Sequence, residues 1–160
     1  MQSRYSYLLL DAANTLIHKP EIWTQFAKIL RKRGIEIELQ ELQQKHKLVS
    51  ELIHFPDRTS KDFYATFNAE VLLALGIVPD DDLLAEIHRE CSYLPWVAFE
   101  DCATLQELPI RKAILSNFNS SIALTIQSLF VDGTFDQIIG SEEAGICKPD
   151  LAFYKLAINK

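Results

Sequence analysis

The segment Tyr5-Ser-Tyr-Leu-Leu-Leu10 is an almost unbroken aromatic and aliphatic run that stops abruptly at Asp11. It is too short for a typical helix and apolar on both faces, which is how a strand buried in a parallel sheet reads. Two further strands are expected late in the chain, at Lys112–Leu115 and near Gln137–Ile139. Between them lie a helix carrying Ile122, Ile126, Leu129 and Phe130 and a turn at Asp132-Gly133. A short helix from Ala103 to Leu108 precedes this stretch, and a last helix opens at Pro149 and carries Phe153, Leu156 and Ala157 to the C-terminus. Strands alternating with helices in this way describe an α/β protein with a parallel, Rossmann-like sheet.

Residues 21 to 93 interrupt that alternation with helical spacing alone. Ile22, Trp23, Phe26, Ile29 and Leu30 share one face, with Gly34 at the stop. A second helix is expected from about Glu38 to Ile53, on a weaker stripe of Leu39, Leu42, Val49, Leu52 and Ile53 that Gln, Lys and His46 interrupt. After a break at Phe55-Pro56-Asp57, Ser60 can cap a third helix in which Phe63, Phe67, Val71, Leu72 and Leu75 stack ahead of Gly76. Pro79 and three aspartates open a fourth, since proline suits the first turn and carboxylates favour the positive end of the helix dipole. Leu83, Leu84, Ile87 and Cys91 form its buried stripe.

With 48% hydrophobic and 24% charged residues over 160 positions, the composition is that of an ordinary folded domain and excludes global disorder. A net charge of -6 supplies no clustered Lys and Arg for nucleic acid or acidic lipid. No stretch approaches the roughly 20 apolar residues that cross a bilayer, and the N-terminal run is too short for a signal peptide. Cys91, Cys102 and Cys147 are odd in number and lack CxxC spacing, so neither a disulfide framework nor a zinc site is implied, and a cytoplasmic location is expected.

Three polar clusters stand just past the carboxyl ends of the expected strands, where parallel α/β sheets place ligands: Asp11 to Thr15, Ser116-Asn117 and Lys148-Pro149. A carboxylate there can serve as a covalent nucleophile, a hydroxyl with backbone N–H groups can hold an anion, and a lysine can neutralise a phosphoryl group or a halide. Each signal alone is equally an ordinary cap or loop start; their order and spacing together describe an anion-processing site.

Leu8-Leu-Leu-Asp-Ala-Ala-Asn-Thr-Leu-Ile17, Ala113-Ile-Leu-Ser-Asn117 and Gly145-Ile-Cys-Lys-Pro-Asp150 resemble the first three motifs of the haloacid dehalogenase-like (HAD) hydrolase superfamily, with Phe67-Asn68, Leu75-Gly76 and Trp96 as supporting matches. The resemblance implies a discontinuous core of residues 1–17 and 101–160, with a helical cap of residues 18–100 inserted after the first motif. It further implies Asp11 as the nucleophile that takes a phosphoryl or alkyl group, Thr15 as the residue that orients it, Ser116 and Asn117 as ligands of the substrate's oxygens, and Lys148 as the charge-stabilising group. His18, Lys19 and Glu21, at the hinge into the cap, are either an exposed polar hinge or a source of a substrate contact, His18 first. In members that transfer phosphoryl groups, Mg²⁺ would bridge Asp11, the Ala13 carbonyl and a carboxylate of a fourth motif.

Two departures qualify that pattern. Ala13 stands where the family's phosphatases place a second aspartate as general acid and base, whose loss can cost on the order of 10²–10⁴-fold. Members that cleave carbon–halogen or carbon–phosphorus bonds also lack this aspartate. Tyr154 lies at a spacing from Lys148 similar to that of dehalogenases, though a packing role on its helix accounts for it equally, and the region Leu42–Lys47 offers no arginine for a halide. For the carbon–phosphorus reading, Lys45, Lys47 and Lys61 are the available cap lysines. The second departure is that Lys160 ends the chain twelve residues after Lys148, before any acidic fourth motif, so that both sheet and metal site are expected to be incomplete.

The leading expectation is therefore a phosphatase-type hydrolase acting on a small phosphorylated molecule. The alternatives are a metal-independent haloacid dehalogenase and a catalytically silent binding or assembly module or fragment. An uncovered first strand further predicts self-association through that edge.

Overall fold

A computed structural model describes residues 5–53 and 61–158. The expected break at Phe55-Pro56-Asp57 and the Ser60 cap lie outside the described residues. The strands are β1 (Tyr7–Leu10), β2 (Ile17–His18), β3 (Val97–Ala98), β4 (Arg111–Ser116) and β5 (Gln137–Gly140). The helices are α1 (Ile22–Lys32), α2 (Leu39–Leu52), α3 (Lys61–Ala74), α4 (Asp81–Cys91), α5 (Ile122–Leu129), α6 (Ser141–Ala144) and α7 (Leu151–Ile158), with a 3-10 helix at Glu100–Glu107.

Among the described residues β1, β4 and β5 form a parallel sheet in that order, with Leu10 opposite Ile114 and Ser116 opposite Gly140. Successive side chains leave a strand on opposite faces, and the two apolar clusters follow that rule. Leu10, Ile114 and Ile138 pack with Ile122 and Ile126 of α5, whereas Leu9, Leu115 and Ile139 pack with Phe153 and Ala157 of α7. Five of the six residues of β4 are buried, but every residue of β1 is only half-buried. The run of residues 5–10 is thus an edge strand, shorter than expected because Tyr5 and Ser6 stand outside the ladder.

The chain divides into two compact units, residues 1–18 with 96–160, and residues 19–95. Residues 96–99 belong with the sheet because β3 pairs antiparallel with β2, a contact too short to have a sequence signature. The second unit holds α1 to α4 around Ile29, Leu30, Leu42, Phe67, Leu72 and Ile87, all essentially inaccessible to solvent. Burial of each such side chain stabilises by about 1.5–3 kcal/mol. Asp80 caps α4 by accepting from the Leu83 N–H at 2.7 Å, and Asp81 and Asp82 fill its first turn.

Several expectations are corrected. The segment before β4 is a 3-10 helix beginning at Glu100, not a short α-helix from Ala103. The last helix begins at Leu151, where Asp150 caps it by accepting from the Ala152 N–H; the Lys148–Pro149 peptide before it is cis. Glu142 and Glu143 form α6, which Gly145 ends in the left-handed conformation at φ 67°. No helix among the described residues is long and apolar enough to cross a membrane.

Candidate active site

The parallel register brings the carboxyl ends of β1, β4 and β5 to one edge of the sheet; a polar loop follows β1 and β4, whereas β5 runs directly into α6. After β1 the chain turns sharply, with the Ala12 carbonyl accepting from the N–H groups of Thr15, Leu16 and Ile17, and with Asn14 at φ 59°. An asparagine tolerates that left-handed conformation where a β-branched residue would not. This turn leaves Asp11 at its mouth.

Asp11 Oδ1 accepts three hydrogen bonds: from the Ala12 N–H at 2.9 Å, the Ser116 hydroxyl at 2.8 Å and the Lys148 ammonium at 2.7 Å. Oδ2 has no partner among the described residues. The Asp11 side chain keeps 42% of its accessible surface and that of Lys148 23%, so the pair faces solvent on one side. Ser116 is fully buried, so its hydroxyl is held on the carboxylate.

Lys148 is delivered by the loop after α6. The Asn117 side chain holds its main chain in both directions: Nδ2 donates to the Lys148 carbonyl at 3.1 Å, and the Lys148 N–H donates to Oδ1 at 2.8 Å. Asn117, expected to bind substrate, thus engages the loop that carries the lysine. Gly140 supports the same region, because a Cβ there would lie 3.0 Å from Ile122 Cγ2 and 3.2 Å from the Phe118 carbonyl. Glu142 accepts from the Ser120 N–H at 2.6 Å and so ties the 117–120 loop to α6. The sequence reading left Gly140 unassigned and took Glu142-Glu143 as a solvated helix start or turn; a glycine closing an apolar strand is the one local signal that could have marked this close approach.

Thr15 is exposed, and among the described residues its hydroxyl has no hydrogen-bond partner; the side chains that bond Asp11 are Ser116 and Lys148. The His18 ring lies flat on Phe99, with centroids 4.1 Å apart and planes 7° from parallel. Tyr154 packs against the Leu115–Phe153 cluster. Burial pushes the Cys102 thiol up, and burial with Glu90 pushes Cys91 to about 11, so both are protonated and unreactive at neutral pH.

No protein-family model matches the chain, and no curated protein matches it significantly. Solved structures do. An L-2-haloacid dehalogenase from Xanthobacter autotrophicus is 23% identical at a TM-score of 0.62, over 96% of this chain and 64% of that one. The HAD-hydrolase YfnB from Bacillus subtilis, bound to magnesium, is 16% identical at 0.66, over 98% and 72%. A predicted phosphoglycolate phosphatase from Haemophilus somnus is 12% identical at 0.62, over 99% and 73%. The chain has the haloacid dehalogenase-like fold. It spans less than two thirds of the length of the Xanthobacter enzyme and under three quarters of the other two.

In this HAD-like fold the donors available to Mg²⁺ are the Asp11 carboxylate and the Ala13 carbonyl, which takes no backbone hydrogen bond. One carboxylate and one carbonyl would leave the rest of an octahedral Mg²⁺ set to water and substrate oxygens. Among the described residues no group of three or more His, Cys, Asp or Glu could hold a metal ion.

Proposed function

We propose that the chain is a hydrolase that works through a covalent aspartyl ester on Asp11, of the haloacid dehalogenase type, with a small 2-halo carboxylic acid as its substrate class. The observation that carries this reading is the convergence of three donors on one oxygen of Asp11 while the other stays open. Oδ2 attacks the carbon that bears the halogen, the carbon–halogen bond breaks, and the halide leaves with its electron pair. Oδ1 becomes the carbonyl oxygen of the ester. Water then adds to Cγ, and the negative charge that develops on Oδ1 falls among the Ala12 N–H, the Ser116 hydroxyl and the Lys148 ammonium, already in place. Collapse releases the hydroxy acid and restores the carboxylate, and the water's second proton goes to solvent. A departing halide needs no proton, so Ala13 costs this reaction nothing.

Phosphoryl transfer is the second reading, favoured by the likeness to the magnesium-bound HAD-hydrolase and to the phosphoglycolate phosphatase. With Ala13 unable to protonate an alkoxide, it suits acyl phosphates better than simple esters.

The test is halide release from 2-chloropropionate, beside phosphate release from acetyl phosphate and p-nitrophenyl phosphate, with and without Mg²⁺, for the protein and its Asp11→Asn variant. Halide release that ignores Mg²⁺ and falls to background in the variant is expected. Magnesium-dependent phosphate release, lost in the same variant, would establish the second reading. No turnover above the variant with any of the three would leave a binding or assembly module.

A further inference from the structure

We infer that Asn117 is a positioning residue for Lys148. The inference builds on the reading above in taking Lys148 as part of the reaction centre. Both polar ends of the Asn117 amide bond the main chain of that one residue, Oδ1 accepting from its N–H at 2.8 Å and Nδ2 donating to its carbonyl at 3.1 Å. Such a two-way clamp fixes the backbone from which the Lys148 side chain reaches Asp11 at 2.7 Å. One N–H of Nδ2 serves this clamp, and the amide holds the Lys148 main chain from both sides.

The clamp is anchored on its own side as well. Asn117 directly follows Ser116, the last residue of the central strand β4, whose hydroxyl bonds the same Asp11 oxygen. The rest of its loop is tied down by Glu142 through the Ser120 N–H at 2.6 Å, and by the Phe118 carbonyl, which accepts from the Glu142 N–H at 3.3 Å and the Ser141 hydroxyl at 3.4 Å. Asn117 thus transmits the position of a buried strand to an otherwise exposed loop. A long, flexible lysine is a poor locator of charge by itself, and displacement of a catalytic group by about 1 Å can cost roughly 10²-fold in rate.

The test reads the placement of Lys148 directly. Competitive labelling with acetic anhydride, resolved by peptide mass spectrometry against the exposed Lys155, is expected to rise several-fold at Lys148 in Asn117→Ala, because an ammonium held on a carboxylate is protected. In Asn117→Asp, which keeps the acceptor for the Lys148 N–H and loses the donor to its carbonyl, labelling is expected to be intermediate. Where turnover is found, Asn117→Ala should lower kcat roughly 10²-fold with KM little changed. It should cost nothing further in a Lys148→Met background.

Unchanged labelling of Lys148 in a folded Asn117→Ala protein would overturn the inference, as would a raised KM with kcat intact. If Asn117→Ala has no thermal transition, Asn117→Asp decides by the same readouts. Absence of any turnover in the wild type would count against the proposed reaction and leave the labelling to judge the clamp.

Discussion

At the scale of single residues, the site is set by which atoms are already bonded. Asp11, Ser116 and Lys148 meet at one carboxylate oxygen, and they were legible as a group because their order and spacing place them near the carboxyl ends of the parallel strands. Gly140 is the opposite case: its importance lies in contacts made across the sheet edge. Gly140→Ala would force Cβ toward Ile122 Cγ2 at 3.0 Å, a side chain fully buried and unable to give way, and toward the Phe118 carbonyl at 3.2 Å. Overpacking of this kind is expected to destabilise by about 1–3 kcal/mol, read as a lowered midpoint in urea denaturation. Thr15 faces solvent and the His18 ring stacks on Phe99, placements that depend on the fold and not on position in the sequence.

At the scale of elements, α2 is the instructive helix. Its apolar stripe is weak, and His46 is one of the residues that interrupt it. In the structure His46 completes the stripe, edge-on to Trp23 and to Phe67, with centroids 4.9 Å away in each case. Burial lowers its pKa to about 4 from an ordinary 6.5. The unfolded chain therefore takes the proton first. The neutral histidine's contribution is complete above about pH 7 and is lost as pH falls from 6.5 toward 4, by up to about 3 kcal/mol. Urea midpoints at about pH 7.5 and pH 5 should differ more for the wild type than for His46→Leu, which keeps the apolar contact and cannot titrate. Equal differences would refute the assignment. Strongly patterned α1 and α4 were plain in the sequence, whereas the two-residue strands β2 and β3 were not, because a pair so short exists only when distant chain segments are brought together.

At the scale of the molecule, the sheet explains why an unbroken apolar run is only half-buried. Among the described residues β1 has β4 on one side and no strand on the other. Unpaired backbone groups beside Leu8, Leu9 and Leu10 form a ready template for another strand. The 160-residue chain is expected to associate as its concentration rises, and sedimentation velocity over a concentration series checks this; a monomer unchanged across the series would contradict it. The sequence by itself determined the α/β class, the helical block between the first motif and the rest, and the nucleophile candidate, because periodicity and strand-end polarity are local properties of a chain. Only the tertiary structure decided which oxygen of Asp11 is left open, that Asn117 serves Lys148, and that His46 belongs to a core. Those depend on distances between residues far apart in sequence, such as the 2.7 Å between Asp11 and Lys148, which no local pattern encodes.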